Sequence, residues 1–157
     1  MSNRTEHHEA RKATPCENIP NTRILIVDDD DVIRGLFEAV LSHAGYGTES
    51  VTNGEEALDM LATAEFDLVL TDRNMPVLDG VGLVRTLRAA GSRIPVMMVS
   101  GSLANGGVLP EDIRNEIAVA LPKPATASEL LAGIVRARNW LPVSHALSNR
   151  RIITRLE

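Results

Sequence analysis

Three short apolar runs in this chain each stop in a polar side chain. Ile24-Leu-Ile-Val27 runs into Asp28-Asp29, Asp67-Leu-Val-Leu-Thr71 into Asp72, and Pro95-Val-Met-Met-Val99 into Ser100. Successive side chains of a strand point to opposite faces, so a strand apolar at every position must be covered on both sides, as in a parallel α/β sheet. In open sheets of that kind ligands bind beyond the carboxyl ends of the strands. The polar residues that end the runs are therefore candidates for chemistry, although an isolated aspartate at a strand end more commonly caps a turn.

The segments between the runs alternate with them in the manner of βα units. From Asp31 to His43 the apolar residues Val32, Leu36, Phe37, Val40 and Leu41 repeat with helical spacing, and Ala44-Gly45 closes the helix. Gly47 to Val51 reads as a second strand. Asn53 has the character of an N-cap for a helix whose buried stripe is Ala57, Leu58 and Leu61. Val81, Leu83, Val84 and Leu87 predict a third helix ending at Gly91. After Ser100 the glycines of Asn105-Gly-Gly107 oppose helix, so a fourth helix is expected only over Pro110 to Ile117, with Pro110 in its first turn. A fifth strand is predicted over Ala118 to Leu121, at an edge because Pro122 lacks an amide hydrogen. A last helix capped by Ser128 would bury Leu130, Leu131, Ile134, Val135 and Trp140. This alternation implies right-handed crossovers and a five-stranded parallel sheet with helices on both faces. The order 2-1-3-4-5 sets Asp28, Asp29 and Asp72 side by side at the topological switch point.

Residues 1–21 and 143–157 show no core-forming pattern and read as a flexible N-terminal tail and a C-terminal tail or linker, leaving one domain over 22–142. His7, His8 and Cys16 fall in the first tail, where nothing converges on them. Arg150, Arg151 and Arg155 make the second basic. Aromatic residues are only 3% of the chain, so the core must be aliphatic, and the net charge of -5 argues against a nucleic-acid surface. A single cysteine forms no internal disulfide, and no apolar run has the length of a membrane span or the layout of a signal peptide. A reducing cytoplasm is the expected compartment.

Ionised carboxylates about 4 Å apart repel by ~4 kcal/mol at an effective dielectric near 20, so a three-aspartate cluster calls for a cation or a raised pKa. All-oxygen ligands suit Mg²⁺, which couples to phosphate, and the lack of nearby His or Cys disfavours zinc. With Lys123 after the fifth run and Ser100 after the fourth, the ensemble forms an anion site beside a metal, with Asp72 as a nucleophile open to phosphorylation. A glycine-rich nucleotide loop is missing, so the phosphoryl donor would be another protein or a small acyl phosphate.

These motifs, ILIVDD, LVLTDRNMP-x-x-DG, PVMMVSG and LPKP in that order, resemble the receiver domains of two-component response regulators, of the CheY-like type, over Thr22 to Leu141. The resemblance implies Asp72 as phosphoacceptor, and Asp28, Asp29, Asp72 and the main-chain carbonyl of Asn74 as Mg²⁺ ligands. It implies Ser100 as the switch hydroxyl, Lys123 as the phosphate-binding cation, and Asn74 and Ser102 as the side chains that tune dephosphorylation. It further implies a histidine kinase or phosphotransfer protein as donor, a downstream protein as target, a phosphorylation-dependent homodimer as one form of output, and a cis Lys123-Pro124 bond. The chain would assist its own phosphorylation and dephosphorylation without being an enzyme in any wider sense. It departs from the family pattern where an aromatic ring is usual three residues before the lysine, here Ala120, and where Phe is common after Lys-Pro, here Ala125. The family's firm fourth helix is replaced by a glycine-rich segment, so phosphorylation is expected to signal by ordering or shifting Gly101 to Ile117.

The leading reading is a stand-alone receiver with output through protein binding. Its alternatives are a receiver cut from a hybrid histidine kinase and a degenerate scaffold. A Mg²⁺-dependent phosphatase of the aspartyl-phosphate type is a further one, and would want an acid two residues beyond its nucleophile. Two beyond Asp72 is Asn74; two beyond Asp28 is Asp30, within an acidic run.

Overall fold

The computed structural model describes residues 21–140, so the two terminal segments read as tails lie, apart from Asn21, outside the described residues. The chain alternates β1 (Arg23–Val27), α1 (Asp31–His43), β2 (Gly47–Val51), α2 (Gly54–Thr63), β3 (Leu68–Asp72), α3 (Gly80–Ala89) and β4 (Val96–Ser100). It continues through α4 (Gly101–Ala104), α5 (Glu111–Arg114), β5 (Val119–Pro122) and α6 (Ala127–Ala137). The strands form one parallel sheet in the order β2-β1-β3-β4-β5.

The sheet is apolar on both faces because each central strand is apolar at successive positions. Leu25, Val27, Val69 and Met98 point to one side, where they meet Ala57 of α2, Val84 and Leu87 of α3, and Ile113 of α5. Ile24, Ile26, Leu70, Met97 and Val99 point to the other, against Phe37 and Leu41 of α1 and Leu130 and Ile134 of α6. The polar strand ends are thereby driven to a common edge, since no side chain of theirs has a face to hide in.

Several elements differ from the sequence reading, each for a physical reason. Helix α1 packs through Ile33, Phe37, Val40 and Leu41, while Val32 and Leu36 are 77% and 51% exposed. Two apolar stripes overlap in that sequence, and only the one spaced i, i+4, i+7, i+8 lies on the sheet. In α6, Leu130 and Ile134 are buried but Val135 is exposed. That helix is capped by Thr126, not Ser128: Thr126 Oγ1 accepts from the Glu129 amide, and the Glu129 carboxylate accepts from the Thr126 amide. This reciprocal arrangement requires an acid three residues after the cap, which only Thr126 has.

The segment after β4 holds two separate helical turns where one short helix was expected. Helix α4 follows Ser100 directly, with the Ser100 side chain accepting from the Ser102 amide. Pro110 is the N-cap of α5, not part of its first turn. Between them Gly106 has φ +77° and Gly107 donates to the Ser102 carbonyl at 2.9 Å, so the glycines close a turn where disorder was expected. Strand β5 is at the sheet edge as expected, shifted by one residue to end on Pro122, and the Lys123-Pro124 bond is cis.

Candidate functional site

Strand register builds the site. Val27 pairs with Thr71, Asp72 with Val99, and Ser100 with Pro122, so Asp28, Asp72, Ser100 and Lys123 occupy neighbouring positions at one edge of the sheet. The amide of Asp28 still donates to Val51 O at 3.2 Å, which fixes it as a continuation of β1. Asp29 follows in the open, where carboxylate oxygens of Asp28, Asp29 and Asp72 all lie within 4.8 Å of one another.

Lys123 joins the group from the edge strand. Its Nζ lies 2.7 Å from Asp28 Oδ2 and 3.4 Å from Asp72 Oδ1. The side chains of Asp28 and Asp72 are 2% and 11% exposed, so water does little to soften their mutual repulsion. Burial raises the carboxyl of Asp72 above its ordinary pKa; the charge of Lys123 and the amide of Arg73 oppose this, and Asp28 adds to it. Burial pulls the ammonium of Lys123 down, but its hydrogen bond to Asp28 and the charges of Asp72 and Asp28 outweigh that and leave it raised. Three carboxylates against one ammonium leave an excess of negative charge. The donor set is oxygen alone, with Asp29 exposed to solvent, which fits a hard divalent cation such as Mg²⁺.

Three residues to which the sequence reading gave no role in the site hold this arrangement. Arg34 Nη1 donates to the Asp28 carbonyl at 2.6 Å and its guanidinium also pairs with Asp31, tying the acidic turn to α1. Thr71, buried, donates its hydroxyl to the Asp72 carbonyl at 2.8 Å. Gly80 donates to Arg73 O at 2.9 Å, and a Cβ there would sit 2.1 Å from Asp72 O, so the loop returns to the strand end with no room for a side chain. The Asp79-Gly80 pair in the sequence was the available signal for that return.

The remaining sequence candidates fall around the cluster. Ser100 is fully buried, its Oγ 3.0 Å from Ser102 Oγ. Asn74 is exposed in the loop after Asp72. Ala120 stands on β5 opposite Met98, exposed, and carries only a methyl group where, by the resemblance, an aromatic ring is usual.

A family model described as response regulator receiver domain matches residues 24–135. The chain belongs to the response regulator receiver family. Among curated relatives, response regulator MprA of Mycolicibacterium vanbaalenii is 38% identical over 116 residues, covering 70% of this chain and 47% of the relative. MprA of Mycobacterium bovis is 37% identical over 118 residues, covering 71% of this chain and 48% of the relative. The chain thus spans about half the length of the curated relatives it matches. Among solved structures, a sensor protein from Polaromonas sp. JS666 superposes with a TM-score of 0.70 at 29% identity, covering 76% of this chain and 98% of that one. Chemotaxis protein CheY4 of Vibrio cholerae does so with a TM-score of 0.64 at 28% identity, covering 74% and 98%. The receiver fold in CheY-like form is therefore shown by sequence and by architecture together. Among the described residues no helix is long and apolar enough to cross a membrane.

Proposed function

We propose that this receiver domain accepts a phosphoryl group on Asp72 with Mg²⁺ held by Asp28, Asp29, Asp72 and the Asn74 carbonyl, and signals through a change in protein binding. The observation that carries this is the convergence of Asp28, Asp29 and Asp72 within 4.8 Å with Lys123 bridging two of them. An oxygen of Asp72 attacks phosphorus, the new O–P bond forms as the donor's P–N bond breaks, and the electron pair leaves with the imidazole of a phosphohistidine. Lys123, already positioned between two of the acids, follows the charge onto the phosphoryl oxygens, and Ser100 offers a hydroxyl to another. When bound, Mg²⁺ offsets the repulsion between the acids and the incoming phosphoryl group. Asn74 and Ser102 stand beyond the acceptor and the switch hydroxyl, where they set the access of water that ends the signal. The donor in this reading is a histidine kinase or phosphotransfer protein in the cytoplasm, and the target is a protein, a homodimer partner among them.

The phosphatase reading is disfavoured by the use made of Asp30. Its carboxylate accepts from the amides of Val32 and Ile33 at 2.9 and 3.2 Å and is committed as the cap of α1. The deciding experiment is incubation with acetyl phosphate and Mg²⁺ followed by intact mass. The parent chain gains one phosphate and Asp72→Asn gains none; uptake by that variant, or turnover of p-nitrophenyl phosphate by the parent, would overturn the assignment.

A further inference from the structure

The side chain next to Asp72 has no part in the chemistry above, yet one of its guanidinium nitrogens has two partners. Arg73 Nη1 lies 3.2 Å from Ser102 Oγ and 3.4 Å from the Val108 carbonyl oxygen. Ser102 Oγ is 3.0 Å from the buried Ser100 Oγ, so the guanidinium stands two hydrogen bonds from the switch hydroxyl. The segment it holds is a closed unit: Gly107 N donates to Ser102 O at 2.9 Å, and a Cβ on Gly107 would come within 2.3 Å of that oxygen. Arg73 therefore clips both ends of residues 102–108 to the strand end that bears Asp72.

Both acceptors of that clip are neutral. A phosphoryl group on Asp72 would carry a charge of about -1.5 to -2 and three acceptor oxygens. Hydrogen bonds from a guanidinium to an anionic oxygen are roughly twice as strong as those to neutral acceptors. Lys123, which lies between Asp28 and Asp72 and follows the charge, leaves further phosphoryl oxygens for a second cation. A guanidinium with charge-assisted bonds to gain stands on the next residue of the chain, Arg73.

We propose that Arg73 is the positioning residue that reports phosphorylation to the segment after β4: it clips residues 102–108 in the structure described, and a phosphoryl group on Asp72 draws its guanidinium away and releases them. The trigger rests on the function proposed above; the clip does not. With only a methyl at Ala120, this route needs no ring on β5. It also reverses the direction expected from the glycine content, because the segment is held before phosphorylation and loosened after it.

Amide hydrogen exchange on the full chain with Mg²⁺, with and without beryllofluoride as phosphoryl mimic, tests both halves. In the parent, exchange over 102–108 rises about tenfold with the mimic, the change expected when one or two hydrogen bonds are lost. Arg73→Ala exchanges that fast without the mimic and does not respond to it. Arg73→Gln keeps a shorter, uncharged donor, so whatever protection it gives the segment is not released by the mimic. Protection in Arg73→Ala equal to that of the parent without the mimic overturns the clip. Release in Arg73→Gln equal to that of the parent overturns the charge competition. Phosphate uptake by intact mass separates the two readings: if the parent takes up none, the proposed function fails, while the comparison without mimic still decides the clip.

Discussion

Val77 holds a φ of +68° in the loop between Asp72 and α3, with its side chain 72% exposed. A β-branched residue in the left-handed region meets its own carbonyl, at a cost of roughly 1–2 kcal/mol, and this one recovers little through burial. Val77→Asn, which tolerates that region, is expected to raise stability by about 1 kcal/mol in urea unfolding with an unchanged slope. Three residues further on the constraint has the opposite sense. A Cβ at Gly80 would overlap Asp72 O, a backbone atom that cannot step aside without moving the acceptor. Gly80→Ala should therefore cost at least about 2 kcal/mol, in the range of overpacked sites, and slow phosphate uptake from acetyl phosphate as well. Uptake at the parental rate would show that the loop and the acceptor are not mechanically joined.

Helices α4 and α5 are single turns, far below the length at which a helix is stable in water alone, so tertiary contacts must hold them. For α5 these are the burial of Ile113 and Leu109 and the pair Arg85 to Asp112, whose Nε–Oδ2 distance is 2.6 Å. The hydrogen bond from Arg85 lowers the pKa of the exposed Asp112 carboxyl; burial opposes it and the charge of Arg85 adds to it. A carboxyl lower in the folded than in the unfolded chain contributes stability above its unfolded pKa of about 3.9 and loses it as pH falls through the folded value. Protection of residues 109–117 should accordingly weaken on acidification below about pH 4 in the parent. In Arg85→Ala the Asp112 resonance should titrate at a higher pH, and protection should be reduced already at neutral pH. An unshifted Asp112 titration in that variant would remove the tie between α3 and α5.

Across the whole molecule, the sheet concentrates repulsion at one edge while its two apolar faces supply the binding energy that tolerates it. Asp29 is the exposed member of the cluster, so its removal costs no packing and relieves charge. Asp29→Ala is expected to be at least as stable as the parent without divalent cation. With Mg²⁺ at about a hundred times its dissociation constant the parent should gain ~2.7 kcal/mol, and the variant much less. Thermal unfolding with and without MgCl₂ checks both statements; an equal gain in the two proteins would place the metal elsewhere.

The strands along the chain and the acids that end them were legible in the sequence because both are local; their order in the sheet followed from the βα alternation. A run such as Ile24-Leu-Ile-Val27 is apolar at every step only if both its faces are covered, and Asp28 can then lie nowhere but past its end. Lys123 was legible through the proline pair that brackets it, and the third helix through the spacing of Val81, Leu83, Val84 and Leu87. What tertiary structure decided is which of several locally adequate choices was used. Val32 and Leu36 are as apolar as Phe37 and Leu41, but the sheet can cover only one stripe of α1. Ser128 is as good a cap in isolation as Thr126, but the acid that completes the box stands at Glu129. Glycines after Ser100 could have left that segment open. Instead the Gly107 amide closes locally onto the Ser102 carbonyl, and the Arg73 guanidinium, brought to Ser102 and Val108 by the pairing of β3 with β4, holds both ends.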